Sequence, residues 1–209
     1  YLRSRDFWSN TSLILTADHG EEFGEHGFSG HPHELYDTLI HVPLMIYSPF
    51  VKEAGMTIEQ PVSLLDIFPT VCDLVGIEKP SHLQGKSLSP FLIEKPKKRD
   101  EGVISEAFKK EYEGSMNVGK HECTISDLGK VSYRTKRWKY IYSLNGRDEL
   151  YNIKNDPMEQ NNLIEEEKAI ARKFRKRLRE HISKQRTIKR KTLKRKLRKR
   201  ISETREKIF

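Results

Sequence analysis

The pattern of hydrophobic and polar positions in the first hundred residues predicts strands that alternate with helices. Residues 11–17 and 42–47 are apolar runs of strand length, and residues 34–39 between them fit a short helical turn. In residues 64–75 apolar positions recur at helical spacing, and Gly76 supplies a C-terminal stop. This order predicts an α/β body in which both strands are buried in a mostly parallel sheet.

The pattern changes after residue 101. Four segments have strand character: residues 102–107, 130–134, 138–142 and 148–153. Asn145-Gly146, between the last two segments, is a strong hairpin turn signal. They predict a small antiparallel sheet. From residue 164 onward, apolar residues keep one helical stripe as far as Ile201, which predicts a long basic C-terminal helix. The expected domains are therefore residues 1–100, 101–163 and 164–209.

Charge is distributed unevenly along the 209 residues. The tail after residue 167 has 20 basic and 3 acidic residues, a net charge of about +17. The body, residues 1–167, has 19 basic and 27 acidic residues, a net charge of about −8. Binding to polyanions is therefore expected only of the tail. It would be nonspecific, because residues 184–200 include no aromatic side chain for base stacking. The simpler hypothesis is a solvated helix that docks on the body through Phe174, Leu178 and Ile182.

Several classes of protein are excluded or disfavoured by simple patterns. No apolar run approaches the roughly 20 residues that a transmembrane helix needs. Cys72 and Cys123 cannot form a disulfide framework and are predicted to be small buried residues. The first eight residues lack a signal-peptide pattern, which favours a cytoplasmic location, although the sequence does not begin with Met.

Residues 18–34 carry the candidate chemistry. This segment contains four Gly, four His and five Asp or Glu residues, and it directly follows the first predicted strand. Asp18 and His19 stand at the carboxyl end of that strand, where open α/β sheets bind ligands. A carboxylate beside an imidazole can hold a divalent cation. Because Asp-His-Gly alone more often forms a turn, the surrounding residues must decide between the two interpretations.

Three ordered segments resemble the sulfatase family, within the alkaline-phosphatase-like superfamily of metal-dependent hydrolases. The first includes Asp18-His-Gly-Glu-Glu-Phe-Gly-Glu-His-Gly-Phe-Ser-Gly-His31, and the others are residues 62–88 and 139–163. The resemblance implies part of an alkaline-phosphatase-like sheet with helices. It also implies hydrolysis of sulfuric esters with the help of a divalent metal ion.

The resemblance assigns roles to individual residues. Asp18 and His19 take the metal-binding positions, for Ca²⁺ or Mn²⁺. His31 stands where the family often has a Lys that contacts the sulfuryl group and the leaving oxygen, and an imidazole there can serve as a general acid. His33 is expected to line the substrate entrance. Many sulfatases have Asn at the position of His19, whereas phosphonate and phosphodiester hydrolases have His, so such esters are the alternative substrates.

The family's nucleophile motif does not occur in the 209 residues. Sulfatases carry Cys-or-Ser-x-Pro-x-Arg, whose Cys or Ser is oxidised to formylglycine, and two adjacent Asp residues early in the fold; this chain has neither. It therefore resembles the C-terminal portion of a sulfatase that acts together with a missing N-terminal half. A catalytically inactive remnant whose basic tail binds polyanions is the competing hypothesis.

The remaining polar residues of these segments are predicted to be structural. His26 and Glu25 are expected to fix the loop by hydrogen bonds, and His41 to make a structural hydrogen bond. The others are assigned to helix core, helix cap or turns: Asp66, Phe68, Pro69, Asp148, Glu149 and Asp156.

Overall fold

A computed structural model describes residues 7–51, 55–93, 102–108, 128–144 and 146–185. The N-terminal region contains two short antiparallel strand pairs. Strand β1 (Leu13–Thr16) pairs with β4 (Leu44–Tyr47), and β2 (Glu22–Phe23) pairs with β3 (Ser29–Gly30). Helix α1 (Asp37–Ile40) is a single turn that precedes β4.

The predicted helix after residue 63 is confirmed and has defined ends. A 3-10 turn (Leu64–Asp66) leads into α2 (Ile67–Val75), and Ser63 and Asp66 form a reciprocal capping box at the start. Gly76 ends the helix in the left-handed conformation, at φ +71°, which a residue without a Cβ adopts readily. A shorter helix, α3 (Ser89–Ile93), contacts α2. Asp66 and Pro69 are buried as expected, but Phe68 is 55% exposed.

The expectation of a mostly parallel sheet with buried strands is wrong for β1 and β4. The two strands run antiparallel, with Leu13 opposite Tyr47 and Thr16 opposite Leu44. The connection between them, residues 17–43, does not cross over to the other end of β1: it forms the β2–β3 pair and the one-turn helix α1, and it brings the chain back alongside β1 in the opposite direction. Both strands are largely exposed, because no described segment covers their apolar side chains.

The predicted C-terminal sheet is confirmed as a four-stranded antiparallel sheet. Its order is β5-β6-β7-β8, formed by Val103–Phe108, Leu128–Arg134, Lys139–Ser143 and Glu149–Tyr151. Tyr133, Tyr140 and Leu150 are register partners in one row across three strands. Because side chains alternate along a strand, this row fixes which residues face each side of the sheet.

Helix α4 covers one face of this sheet. It runs through residues 168–185 of the described part of the chain and buries Ala171, Phe174, Leu178 and Ile182. These side chains form one core cluster with the row of Tyr133, Tyr140 and Leu150. The ring of Phe174 meets that of Tyr133 edge to face, with centroids 4.9 Å apart. The predicted docking of the helix through Phe174, Leu178 and Ile182 is therefore confirmed.

The opposite face of the sheet supports the segment that follows the candidate site. Leu35 and Tyr36 pack there against Ala107, Ile141 and Tyr151. The sheet is thus buried on both sides, by α4 on one and by the site segment on the other.

Some predictions fall outside the described residues, namely the turn position Asn145, the burial of Cys123 and the basic helix beyond residue 185. Cys72 is buried, as expected. None of the helices in the described residues is both long and apolar enough to cross a bilayer.

The exposed strands predict self-association of the 209-residue chain. Leu13, Leu15, Met45 and Tyr47 on β1 and β4 are each at least 39% exposed, and unpaired strand edges with apolar side chains favour pairing between chains. Light scattering at physiological salt should show oligomers, and Met45→Lys should raise the monomer fraction. Met158→Lys, at a similarly exposed Met outside the strands, is the control. A monodisperse monomer for the parent chain would refute the prediction.

Candidate functional site

The site begins where β1 ends, and Gly20 holds it against α1. The backbone N–H of Gly20 donates to the carbonyl oxygen of Leu39 at 2.8 Å. A Cβ at this position would lie 2.0 Å from the carbonyl oxygen of Thr38, so a side chain cannot fit without moving the backbone. This close approach fixes the loop that carries Asp18 and His19.

Asp18 and His19 form a pair of potential metal ligands. The Nδ1 atom of His19 lies 2.9 Å from the carbonyl oxygen of Gly20, which makes it the N–H donor and leaves the lone pair on Nε2. Nε2 lies 3.8 Å from Oδ2 of Asp18. The hydrogen bond to Gly20, with help from the charges of Asp18 and Glu21, raises the pKa of His19 against the opposing effect of desolvation. Both side chains are exposed to the solvent.

His31 reaches the same place from the end of β3. Its ring lies against that of His19, with centroids 4.6 Å apart. Its Nδ1 atom lies 3.1 Å from Oε1 of Glu21, so the carboxylate orients the imidazole. One ligand atom from each of His19, Glu21 and His31 lies within 4.8 Å of the others. The structure thus brings together three of the predicted residues and adds Glu21.

The sequence interpretation missed Glu21, although a signal was available. Glu21 is two residues beyond His19, a spacing that puts side chains on the same side of an extended segment. The neighbouring Glu22 offers the same chemistry, so the sequence did not distinguish between these two carboxylates.

These donors fit a divalent cation. Two ligand atoms that bind the same Ca²⁺ ion at 2.3–2.6 Å lie at most about 5 Å apart. Nε2 of His19 and Oδ2 of Asp18 are 3.8 Å apart, and one ligand atom from each of His19, Glu21 and His31 lies within 4.8 Å of the others. Both separations are compatible with one shared ion. Carboxylate oxygens suit Ca²⁺ and Mn²⁺, whereas imidazole nitrogen shifts the preference toward transition metals. The donor set alone therefore agrees with either predicted ion.

His26 and Glu22 stabilise the loop through hydrogen bonds, as predicted for His26. Glu22 is completely buried and lies 2.9 Å from Nδ1 of His26, while it also accepts a hydrogen bond from the hydroxyl of Thr38. Nε2 of His26 lies 3.0 Å from the carbonyl oxygen of Met158, and the ring stacks on Tyr36 at 3.7 Å. His26 therefore joins the loop to the turn near residue 158 and is not available as a metal ligand.

Glu25, His33 and His41 are placed around the cluster. Glu25 fixes the loop as predicted, because its carboxylate accepts a hydrogen bond from the backbone N–H of Phe23 at 2.6 Å. Hydrogen bonds from the backbone amides of Glu25 and Phe23 also lower the pKa of Glu25. His33 is exposed and lines the cleft beside the cluster. Nδ1 of His41 lies 3.9 Å from Oδ2 of Asp37, which is longer than a hydrogen bond, so this contact is not the predicted structural hydrogen bond.

A buried ion cluster fixes the site segment to the C-terminal sheet. Asp37 accepts hydrogen bonds from Arg134 and from Lys139, whose Nζ also lies 2.7 Å from Oε1 of Glu159. Glu159 accepts the backbone N–H of Asp37 in turn. Lys139 is 0% exposed, so this cluster lies in the interior.

The two carboxylates of this cluster respond oppositely to the same Lys139. Burial raises the pKa of Asp37, but Lys139 and Arg134 together outweigh it and lower that pKa below its ordinary value. Burial raises the pKa of Glu159 by more than Lys139 and the backbone N–H of Asp37 lower it, and the charge of Asp37 adds a smaller rise. Asp37 is therefore the carboxylate whose ionised form the two basic side chains stabilise more strongly.

The His19–Glu21–His31 cluster opens onto a wide cleft of about 1920 Å³. Asp18, His31 and His33 line it on one side, and Arg137 and Lys154 are among the basic side chains that line it elsewhere. A cleft of this size can admit a molecule of one or more sugar rings, since small-molecule sites commonly enclose about 300–1,000 Å³.

Comparison with known proteins gives consistent matches. Residues 24–188 match the family described as N-sulphoglucosamine sulphohydrolase, C-terminal. The chain is 34% identical over 163 residues to the Delta 4,5-hexuronate-2-O-sulfatase of Bacteroides thetaiotaomicron, which covers 76% of this chain and 31% of that protein. The chain spans about a third of the length of the curated relatives that it matches.

Solved structures show the same fold. The phosphonate monoester hydrolase of Agrobacterium radiobacter is 28% identical with a TM-score of 0.71, over 88% of this chain and 37% of that one. A second structure, in complex with its substrate D-glucosamine-2-N,6-O-disulfate, is 27% identical with a TM-score of 0.63, over 88% and 35%.

Proposed function

The chain belongs to the sulfatase family, and from this we propose that it carries the metal-binding and leaving-group part of a site that hydrolyses sulfuric esters. The observation that carries the proposal is the convergence of His19, Glu21 and His31, within 4.8 Å of one another, beside Asp18 on the wall of an open cleft. Attack on a sulfuryl centre meets negative oxygens, so the site must neutralise charge and protonate the leaving oxygen.

Asp18 and His19 are the proposed metal ligands. The hydrogen bond from Nδ1 of His19 to Gly20 turns Nε2 toward the Asp18 carboxylate, as metal-ligating histidines are commonly oriented. A Ca²⁺ or Mn²⁺ ion bound there would offset the negative charge of the ester oxygens. Gly20 keeps both ligands in place, because its close contact with Thr38 ties the loop to α1.

His31 is the proposed general acid. Glu21 accepts a hydrogen bond from Nδ1 of the protonated ring, which leaves the proton on Nε2 to face the ester. When the nucleophile attacks sulfur, the bond from sulfur to the leaving oxygen breaks and that oxygen keeps the electron pair. The Nε2 proton of His31 then transfers to it, so the product leaves as a neutral alcohol.

The substrate is proposed to be a sulfated sugar that enters past His33. The cleft is large enough for sugar rings, and two similar proteins are described as acting on hexuronate or disulfated glucosamine. Arg137 and Lys154 line the cleft and suit the further anionic groups of such substrates.

The nucleophile must come from outside these 209 residues, because they contain no Cys-or-Ser-x-Pro-x-Arg motif. We therefore assign the chain to one part of a longer enzyme or of a two-chain complex. A phosphonate or phosphate ester is the second candidate substrate, favoured by the His that follows Asp18 and by the similarity to a phosphonate monoester hydrolase.

The test compares an aryl sulfate with an aryl phosphate diester, each with Ca²⁺ or Mn²⁺, on the enzyme that contains this chain and the nucleophile-bearing segment. The sulfate should be cleaved faster, and Asp18→Asn should lower kcat/KM by about 100-fold or more because a charge-neutralising group is lost. Asp73→Asn, which removes a carboxylate from a surface ion pair on α2, is the matched control.

Each other result would change the assignment. Full activity of Asp18→Asn would remove Asp18 from the site. Faster cleavage of the phosphate diester would favour the second candidate. Turnover of neither ester would support the inactive remnant instead.

A further inference from the structure

The exposed side of helix α4 carries a concentration of positive charge that the proposed chemistry does not use. Residues 168–185 contain eight Lys and Arg residues and one Glu. A shallow groove along the helix is lined by Arg172, Arg175, Lys176, Arg179, Glu180 and Ser183. We call its four basic members the basic stripe; they recur at helical spacing and extend about 10 Å along the axis.

Most of the basic stripe has its charge available for a ligand. Arg175 pairs with Asp148 and lies over the ring of Tyr142. Among the residues that the structure describes, no acidic side chain lies within ion-pair distance of Arg172, Lys176 or Arg179. Glu180 is the acidic residue that faces the groove beside them.

We propose that the basic stripe binds the sulfated polysaccharide chain whose esters the site hydrolyses, an inference that rests on the proposed function. Arginine dominates the stripe, and its planar guanidinium binds sulfate-like oxyanions through two parallel hydrogen bonds. A row of such groups along one helix suits a linear polymer with repeated anionic groups.

The structure argues against the two other common partners of basic helices. The apolar side of α4 is buried against the sheet, through Phe174, Leu178 and Ile182, so no apolar face remains to enter a lipid interface. The stripe contains no aromatic side chain, so single-stranded nucleic acid would lack stacking contacts. A sulfated glycan requires neither feature.

The experiment measures binding of the 209-residue chain to heparin, as a sulfated polysaccharide probe, at 0.15 M salt. The triple variant Arg172→Gln/Lys176→Gln/Arg179→Gln should bind at least 10-fold more weakly than the parent. The control Lys173→Gln/Arg177→Gln/Lys184→Gln removes the same charge from another side of the same helix and should lose less than 3-fold. Residues 186–209 are the same in both variants, so a difference in affinity between the two variants reports the position of the lost charge on α4.

The alternatives give different results. An equal loss in both triple variants would show that only net charge matters and would overturn the inference. Stripe-dependent binding that is as tight for single-stranded DNA, or for vesicles with 30% phosphatidylserine, would also overturn it. Hydrolysis of a small aryl sulfate does not involve the stripe, so failure of the proposed function would appear in that assay while heparin binding is unaffected.

Discussion

Replacing Lys139 with methionine is expected to lower the free energy of unfolding of this chain by about 3–5 kcal/mol, the usual cost of removing one partner from a buried ion pair. Lys139 is 0% exposed and binds both Asp37 and Glu159. The variant would leave Glu159 buried without a cation. Urea unfolding at pH 7, followed by tryptophan fluorescence, measures the change.

The control for this prediction is Lys136→Met. Lys136 pairs with Glu59 but is 65% exposed, so the same substitution should cost only about 0–1 kcal/mol. Equal effects of the two substitutions would show that the buried cluster does not stabilise the fold.

The contribution of Asp37 to stability depends on pH. Since its pKa in the folded chain lies below the unfolded value of 3.8, that contribution is present above pH 3.8 and is lost as the pH falls through the folded-state pKa.

The substitution His31→Gln is expected to lower kcat by about 10²- to 10⁴-fold on a sulfated sugar, the range for loss of a general acid. The effect should depend on the leaving group. A nitrophenolate leaves readily without a proton, so the same variant should retain much more activity on nitrophenyl sulfate. Paired measurements of kcat on the two substrates in the complete enzyme test this assignment.

His82→Gln is the matched control, because His82 is exposed in the connector before α3. It should change neither rate. An equal loss for His31→Gln on both substrates would assign His31 to metal or substrate binding, as a third donor with His19 and Glu21, and not to proton transfer.

The C-terminal half of the fold could be predicted from the sequence because each element has a local pattern. Alternating apolar positions marked β5 to β8, and the helical spacing of Phe174, Leu178 and Ile182 marked the side of α4 that packs on the sheet. The direction of β4 could not be predicted in this way. An apolar run such as residues 44–47 has the same pattern in a parallel and in an antiparallel pair, and only the path of the connection decides.

Only part of the candidate site could be predicted from the sequence, because local patterns do not show which side chains meet in the folded chain. Asp18 and His19 are marked by residue type and by their place after a strand, whereas His31 is marked by the resemblance to sulfatases. The separation of Glu21 from Glu22 depends on tertiary structure, since Glu22 is buried against His26 while Glu21 faces His31. Glu21 and Glu22 are the same type of residue at adjacent positions, so the sequence alone does not tell which of the two faces the site.

The layered arrangement of the C-terminal sheet has a consequence for substrate length. The basic stripe lies on the side of the sheet that α4 covers, whereas the candidate site lies toward the face that supports Leu35 and Tyr36. With layers spaced about 10 Å apart, the two places are separated by a distance on the order of 20 Å. A disaccharide could occupy one place or the other, whereas a long polymer could occupy both and gain from a raised effective concentration at the site. The path around the edge of the sheet, from the stripe to the site, therefore sets the shortest polymer for which the stripe can improve turnover.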